Sequence, residues 1–318
     1  MTALVAPSPP QGLLVLDDPG LPKPGGRAVG GARQSAGTLG QGANGQVVVT
    51  AHYGADEPTS RAPGPWPLTA RLSLPEAWAT APARRAKGHV PPAVALQTKP
   101  EWALALVAQA RAWGVPLAWV VAAAGDGDHP PFLQGLDARH GADVVGSSST
   151  FGGRLPEEVR AAALALPSPP RGRGQPQKPR PAPLYEAKAV LEALPEDHGQ
   201  AIPWREHDDM GLRKQCTAVR VHWATGGAQC STRHHRVSTG PAGGLLGERR
   251  GPGDRGDVTW DFSHLPADTP WPRLVELAHS RWPSEQFDED AKGECGLDHD
   301  PGRRWEGRHR HLALVLRA

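Results

Sequence analysis

Arg281, Glu285 and Lys292 stand in the spacing R-x3-E-x6-K, within Arg281-Trp-Pro-Ser-Glu285-Gln-Phe-Asp-Glu-Asp-Ala-Lys292. On a helix, positions four and seven apart share a face, so this places a carboxylate between two cations. Two readings fit that pattern. One is a glutamate holding a metal ion beside a phosphate backbone; the other is a solvated face laced with i,i+4 ion pairs. A second acidic feature lies near the N-terminus, where the apolar run Leu13-Leu-Val-Leu16 ends in Asp17 and Asp18. Acids at the end of a buried strand sit where α/β sheets place their chemistry. A strand-end aspartate with a helix glutamate suits two-metal phosphoryl transfer, in which Mg²⁺ takes one or two carboxylates and leaves room for phosphate oxygens.

The elements that must position these residues follow from periodicity. Residues up to Asp18 close a first strand, and Gly45–Tyr53 and Leu68–Leu74 read as further strands of an antiparallel meander. Lys99–Trp113 reads as a helix with Pro100 in its first turn and Gly114 as its stop. Leu117–Ala123 follows as a buried strand, Pro130–Arg139 as a helix and Ala142–Val145 as a short strand. Thr217–Trp223 is strand-like, and the Gly- and Arg-rich stretch 240–256 is expected to loop out. Thr269–Trp282 is expected to be one helix, capped by Thr269 with Pro270 at its first position.

Several blocks resemble the IS701-type DDE transposases, a branch of the IS4-like insertion-sequence transposases. Leu16-Asp-Asp-Pro-Gly-Leu-Pro-Lys-Pro-Gly25 is similar to the family's I-D-D-T-G-F-P-K-K-G. Val29-Gly-Gly-Ala-Arg-Gln-Ser-Ala-Gly-Thr-Leu-Gly40 is similar to V-G-V-A-R-Q-Y-S-G-T-L-G, and Arg71-Leu-Ser-Leu-Pro-Glu-Ala-Trp78 to R-L-Y-L-P-E-E-W. Thr98-Lys-Pro-Glu101, Leu265–Pro270, Arg281-Trp282, Glu285-Gln286 and Gly296-Leu-Asp-His299 follow in order. The resemblance implies an α/β, RNase H-like mixed sheet flanked by helices, with a β-rich insertion before the last catalytic helix. It implies a first metal ligand at Asp17 with Asp18 as fallback, a last ligand at Glu285, and Arg281 and Lys292 holding phosphate and orienting Glu285. It also implies two Mg²⁺ or Mn²⁺ ions and, as partner, double-stranded DNA at insertion-sequence ends; a homo-oligomer stays open.

The chain departs from that pattern in the middle. The family's second catalytic acid lies in V-V-A-D-A-G-Y-G-D, whereas here the stretch is Val120-Val-Ala-Ala-Ala-Gly-Asp-Gly-Asp128, with Ala123 at the position of that acid. Alanine offers no ligand atom, so catalysis is expected to be impaired, and a DNA-binding remnant without chemistry is the alternative. Asp126 and Asp128 remain open as substitutes. Pro19 replaces the Thr of D-D-T, and against the family's length both ends look clipped.

With 318 residues the chain can bury a sizeable core. The resemblance divides it into a disordered lead (1–12), the first part of the core (13–166), a Pro/Arg-rich linker (167–182), an insertion (183–262) and the rest of the core (263–318). Its 38 glycines and 35 prolines reflect an Ala/Gly/Pro/Arg bias. A net charge of +2 gives no global basic field, so contact with nucleic acid has to rest on local patches. Three cysteines leave an odd number, which suits a reducing compartment, and no run approaches the roughly 18 apolar residues of a membrane span. The expected location is cytoplasmic, at the nucleoid. Cys216, His222, Cys230, His234 and His235 lack the tight Cys pair of a zinc site, and no glycine cluster forms a P-loop. The basic run Arg303–His311, with Trp305, reads equally as a phosphate contact or a charged helix face.

Overall fold

Strand β1 (Gly12–Asp17) is buried along its apolar length and stands between two neighbours. It pairs antiparallel with β4 (Gly40–Ala55) and parallel with β6 (Trp119–Ala122). This is a computed structural model; it describes residues 12–36, 40–56, 66–123, 127–139, 142–156, 184–205, 212–224, 238–249, 258–299 and 302–318. Contacts divide the chain into two units, Met1–Ala123 with Ser280–Ala318, and Ala124–His279.

In the first unit, β4 organises the sheet. Its first half carries β2 (Gly20–Pro22) and β3 (Ala32–Ala36), and its second half pairs with β1 and with β5 (Trp66–Leu72). The strand alternation assigns the faces: Val15 and Asp17 lie opposite His52 and Thr50, while Val48 and Thr50 lie opposite Leu72 and Ala70. Two short helices, α1 (Glu76–Ala79) and α2 (Pro82–Gly88), follow β5, and α3 (Lys99–Ala112) packs on β4 and β5. Thr98 and Glu101 close a capping box at the start of α3, and Gly114, at φ +75°, ends the helix in a conformation glycine adopts freely. Arg71, pointing away from the Leu72 face, donates to Gln109 of α3 at 2.8 Å.

The second unit is an antiparallel sheet. After α4 (Pro130–Arg139) come β7 (Asp143–Ser147), β8 (Gly152–Arg154), β9 (Tyr185–Glu186), α5 (Ala187–Glu192), β10 (Gln200–Arg205), β11 (Leu212–Ala224), β12 (Thr239–Arg249) and β13 (Thr259–Ser263). Their order is β7-β13-β12-β11-β8-β9, with β10 also on β11. The expected loop at 240–256 is therefore corrected as far as Arg249, since residues 239–249 form a strand. Its glycines mark close approach rather than a loop. A Cβ on Gly243 would collide with the Phe262 ring and the Ser263 carbonyl, and one on Gly240 with the Trp223 indole. Residues 250–257 lie outside the described residues, as do the linker 167–182 and the lead 1–11.

The single helix expected over Thr269–Trp282 is also corrected. Helix α6 spans Trp271–His279, and α7 begins afresh at Trp282 and runs to Gly293. Pro283 has no N–H to give and its ring would clash with the carbonyl four residues back, so a continuous helix cannot pass this point. The first accepting carbonyl of α6 is that of Pro270, one residue later than a Thr269 cap requires. Helix α7 and α8 (Trp305–Val315) belong to the first unit, where Ala291, Leu312 and Val315 pack with Val48, Ala70 and Leu72. The sheet of that unit thus has α3 on one face and α7 and α8 on the other. The parallel β1–β6 pair beside antiparallel β4 and β5, covered by helices, is the open mixed sheet of an RNase H-like α/β fold. Among the described residues no helix is long and apolar enough to cross a membrane.

Candidate active site

Asp17 ends β1 on the face that α7 covers, with His52 of the adjoining strand stacked edge-on against Phe287 of α7 at 5.1 Å. The Asp17 Oδ1 atom accepts the backbone N–H of Asp18 at 2.8 Å, and Asp18 in turn pairs with Lys99 Nζ at 2.6 Å. The capping box that starts α3 immediately precedes Lys99 and so fixes where this cation begins.

The β1–β6 register reads Leu13 with Trp119 through Leu16 with Ala122. One step further puts Ala123 beside Asp17. Arg281, at the entry to α7, reaches the same strand end, donating from NH1 to the Ala122 carbonyl at 3.4 Å. Its Nε donates to Glu285 Oε1 at 3.1 Å, an i,i+4 pair on one helix face. The ion-paired helix face is thus what the structure shows: Glu285 is half-exposed and paired with Arg281, near the carboxyl end of β1. Lys292, at the far end of the same face, acts electrostatically on Asp288.

The electrostatics of Asp17 show an uncompensated acid. Burial raises its pKa to about 6, the charges of Asp18 and Glu285 add to the rise, and the Asp18 N–H and Arg281 oppose it. Asp288 is more extreme. Burial, followed by the charge of Asp17, raises it to about 8; Glu285 and Asp18 push the same way and Lys292 opposes. Its side chain is buried on α7, and Oδ1 has no hydrogen-bond partner among the described residues.

The structure therefore brings Asp17, Asp18, Glu285 and Arg281 to one strand end, with Lys292 on the same helix. Lys99, paired with Asp18, and Asp288, on which Asp17 and Glu285 act, are neighbours of this group that sequence reasoning misses. Asp288 carries a usable signal, lying three residues after Glu285 and four before Lys292, on the face those two define. Among the described residues no three His, Cys, Asp or Glu side chains are drawn together closely enough to hold a metal ion between them.

Other clusters resolve differently. Asp126 lies outside the described residues, and Asp128 accepts the Ser148 N–H at 3.1 Å in the second unit. Of the zinc-like set, Cys216 is buried and His222 Nδ1 lies 2.9 Å from the Gly240 carbonyl; Cys230, His234 and His235 lie outside the described residues. Arg308 of the basic C-terminal run is fully buried, and both of its terminal nitrogens donate to the Leu297 carbonyl at 3.1 Å. That takes Arg308 away from any phosphate and makes it a clamp on the turn after α7.

No curated protein matches the chain. The family model of the DDE superfamily endonucleases matches residues 1–211, a span that takes in Asp17, Asp18, Lys99 and Ala123 and stops before Glu285. With 211 of 318 residues matched, and a strand-end aspartate facing a helix glutamate, the chain belongs to the DDE superfamily of endonucleases.

Proposed function

We propose that the protein is an IS701-type transposase that acts on double-stranded DNA at insertion-sequence ends and is impaired by Ala123. Residues 13–166 and 263–318 supply the core in this reading, and 183–262 is the insertion before the Glu285 helix. Asp17 is the first metal ligand and Glu285 the last, with Asp18 in reserve behind its pair with Lys99. The donor set is made of carboxylate oxygens only, which fits a hard cation such as Mg²⁺ or Mn²⁺. The acids around a buried Asp288 oxygen without a partner among the described residues fit a cation-binding place.

Bound there, divalent ions supply activation of the attacking oxygen and stabilisation of the leaving one in an in-line phosphoryl transfer. The chain's own residues do the rest. Arg281 fixes the Glu285 carboxylate by its Nε contact and ties the start of α7 to the end of β6. Arg281 and Lys292 present positive charge to a DNA phosphate entering beside the carboxylates. The packing of α7 on β1, which stands between β4 and β6, holds Asp17 at the carboxyl end of its strand.

The observation that carries this reading is the parallel register that ends at Leu16 with Ala122, after which Asp17 and Ala123 come next in sequence. It also favours the second reading, a DNA-binding protein without chemistry. Mn²⁺-dependent nicking of a plasmid carrying the native flanking DNA separates the two. Ala123→Asp is expected to raise nicking by roughly a hundredfold or more, and Glu285→Ala in that background to abolish it. If the unmodified chain and Ala123→Asp are both silent while salt-dependent DNA binding persists, the second reading replaces the first.

A further inference from the structure

Asp288 presents a problem that the reading above does not solve. The residue is 5% exposed, and its Oδ1 has no hydrogen-bond partner among the described residues. Without a cation such a carboxyl keeps its proton at neutral pH, because the ionised form costs several kcal/mol out of water, and a bound cation would take the place of that proton. The charged groups that act on it are Asp17, Lys292, Glu285 and Asp18, so three of the four carry its own sign. Side chains on a helix lean towards its N-terminus, and that direction from Asp288 leads along the shared face to Glu285. Helix α7 packs on β1, whose last residue is Asp17. Just past the end of β6, whose last pairing with β1 is Ala122 with Leu16, Ala123 offers a methyl group where the family resemblance expects a second carboxylate.

Resting on the assignment of Asp17 and Glu285 above, we infer that Asp288 supplies the carboxylate that Ala123 lacks, holding a divalent cation together with Asp17. The replacement comes from the helix rather than from strand β6. Two carboxylates are enough for a Mg²⁺-type site, since such ions keep several waters and take the remaining ligands from substrate phosphate. A bound dication gives the orphan oxygen a partner and cancels the repulsion between Asp17 and Asp288. Because the pair comes from a strand end and a helix face, the ion sits displaced from the place that a carboxylate at the Ala123 position would define.

The test is the shift in thermal midpoint of the full-length chain on adding MnCl2 alone, followed by calorimetric titration. The unmodified protein is expected to gain stability with Mn²⁺, and Asp17→Asn and Asp288→Asn each to lower Mn²⁺ affinity by about tenfold or more. Ala123→Asp placed on Asp288→Asn is expected to restore the shift, a rescue that a purely structural role of Asp288 would not give. Asp288→Asn is nearly isosteric, and its midpoint without metal reports whether it folds. If Asp17→Asn loses the shift and Asp288→Asn keeps it, the inference is overturned and the assignment of Asp17 stands. No shift in the unmodified chain, with one appearing in Ala123→Asp, has the same meaning. A shift unaffected by either single variant overturns both, because the ion then binds elsewhere.

Discussion

Two buried carboxylates in this molecule are treated in opposite ways. Glu248, on β12 of the second unit, is fully buried, yet its Oε2 takes Lys214 Nζ at 2.9 Å and His279 Nε2 at 2.7 Å. Burial alone pushes Glu248 up, and these two partners outweigh it, so its pKa lies below the usual carboxylate value. Asp288, on α7 of the first unit, is almost as buried and has acids for company; its pKa rises to about 8. Burial is common to both, and so is one oxygen without a hydrogen-bond partner among the described residues, Glu248 Oε1 and Asp288 Oδ1, so the difference lies in the charged neighbours. A buried acid given its cations by the chain is held ionised, whereas one surrounded mainly by acids is pushed towards its neutral form.

The sharpest way to break this comparison is to deprive Glu248 of its lysine. Lys214→Met leaves a buried charge with His279 alone, and a loss of about 3 kcal/mol is expected by urea denaturation at pH 7. The pH dependence has a definite sign. A depressed pKa contributes stability above the reference value of 4.5 and loses it as pH falls through the folded-state value. The gap between Lys214→Met and the unmodified chain should therefore narrow below about pH 4.5. A loss under about 1 kcal/mol at pH 7 would mean that His279 compensates Glu248 unaided.

The opposite sign is expected at the other acid. With metal removed by chelation, Asp288→Asn relieves the cost of holding a buried carboxyl protonated at pH 7 and keeps the shape, so the protein should gain about 1–3 kcal/mol. Equal or lower stability would show that Asp288 has a partner the comparison overlooks, and would remove the contrast with Glu248.

How far the sequence anticipates all this depends on whether the cause is local. The elements β1, α3, β6, α4 and the Arg281–Lys292 helix face are legible because apolar runs, a capping box and i,i+4 spacing act within a few residues. Strand β12 is not, since its glycines are required by Phe262 and Trp223 across the sheet, and nothing near Gly240 announces those rings. The break at Pro283 is legible in principle and is outweighed by the periodicity on either side of it. Asp17, Glu285 and Arg281 emerge from spacing and resemblance. Asp288 stays hidden because it lies in an acidic run with Glu289 and Asp290, and only packing distinguishes the buried member from its exposed neighbour Glu289.

The smallest effect is the one that isolates burial as the deciding variable. Lys99 and Asp18 form a pair at 2.6 Å, shorter than Lys214–Glu248 at 2.9 Å, but their side chains are 29% and 25% exposed where Glu248 has no exposure. Were contact distance the source of stability, Lys99→Met would cost more than Lys214→Met. Water screens a pair of this exposure and hydrates either partner once the other is gone, so the expected loss is only about 0.5 kcal/mol. The two variants differ by the same atoms and are read in the same urea titration, which makes the ratio of their losses the quantity of interest. A ratio near one would mean that the edge around Asp18 is as dry as the interior around Glu248. In that case Lys99 would be a structural partner like Lys214, and Asp18 could not serve as the reserve ligand behind Asp17.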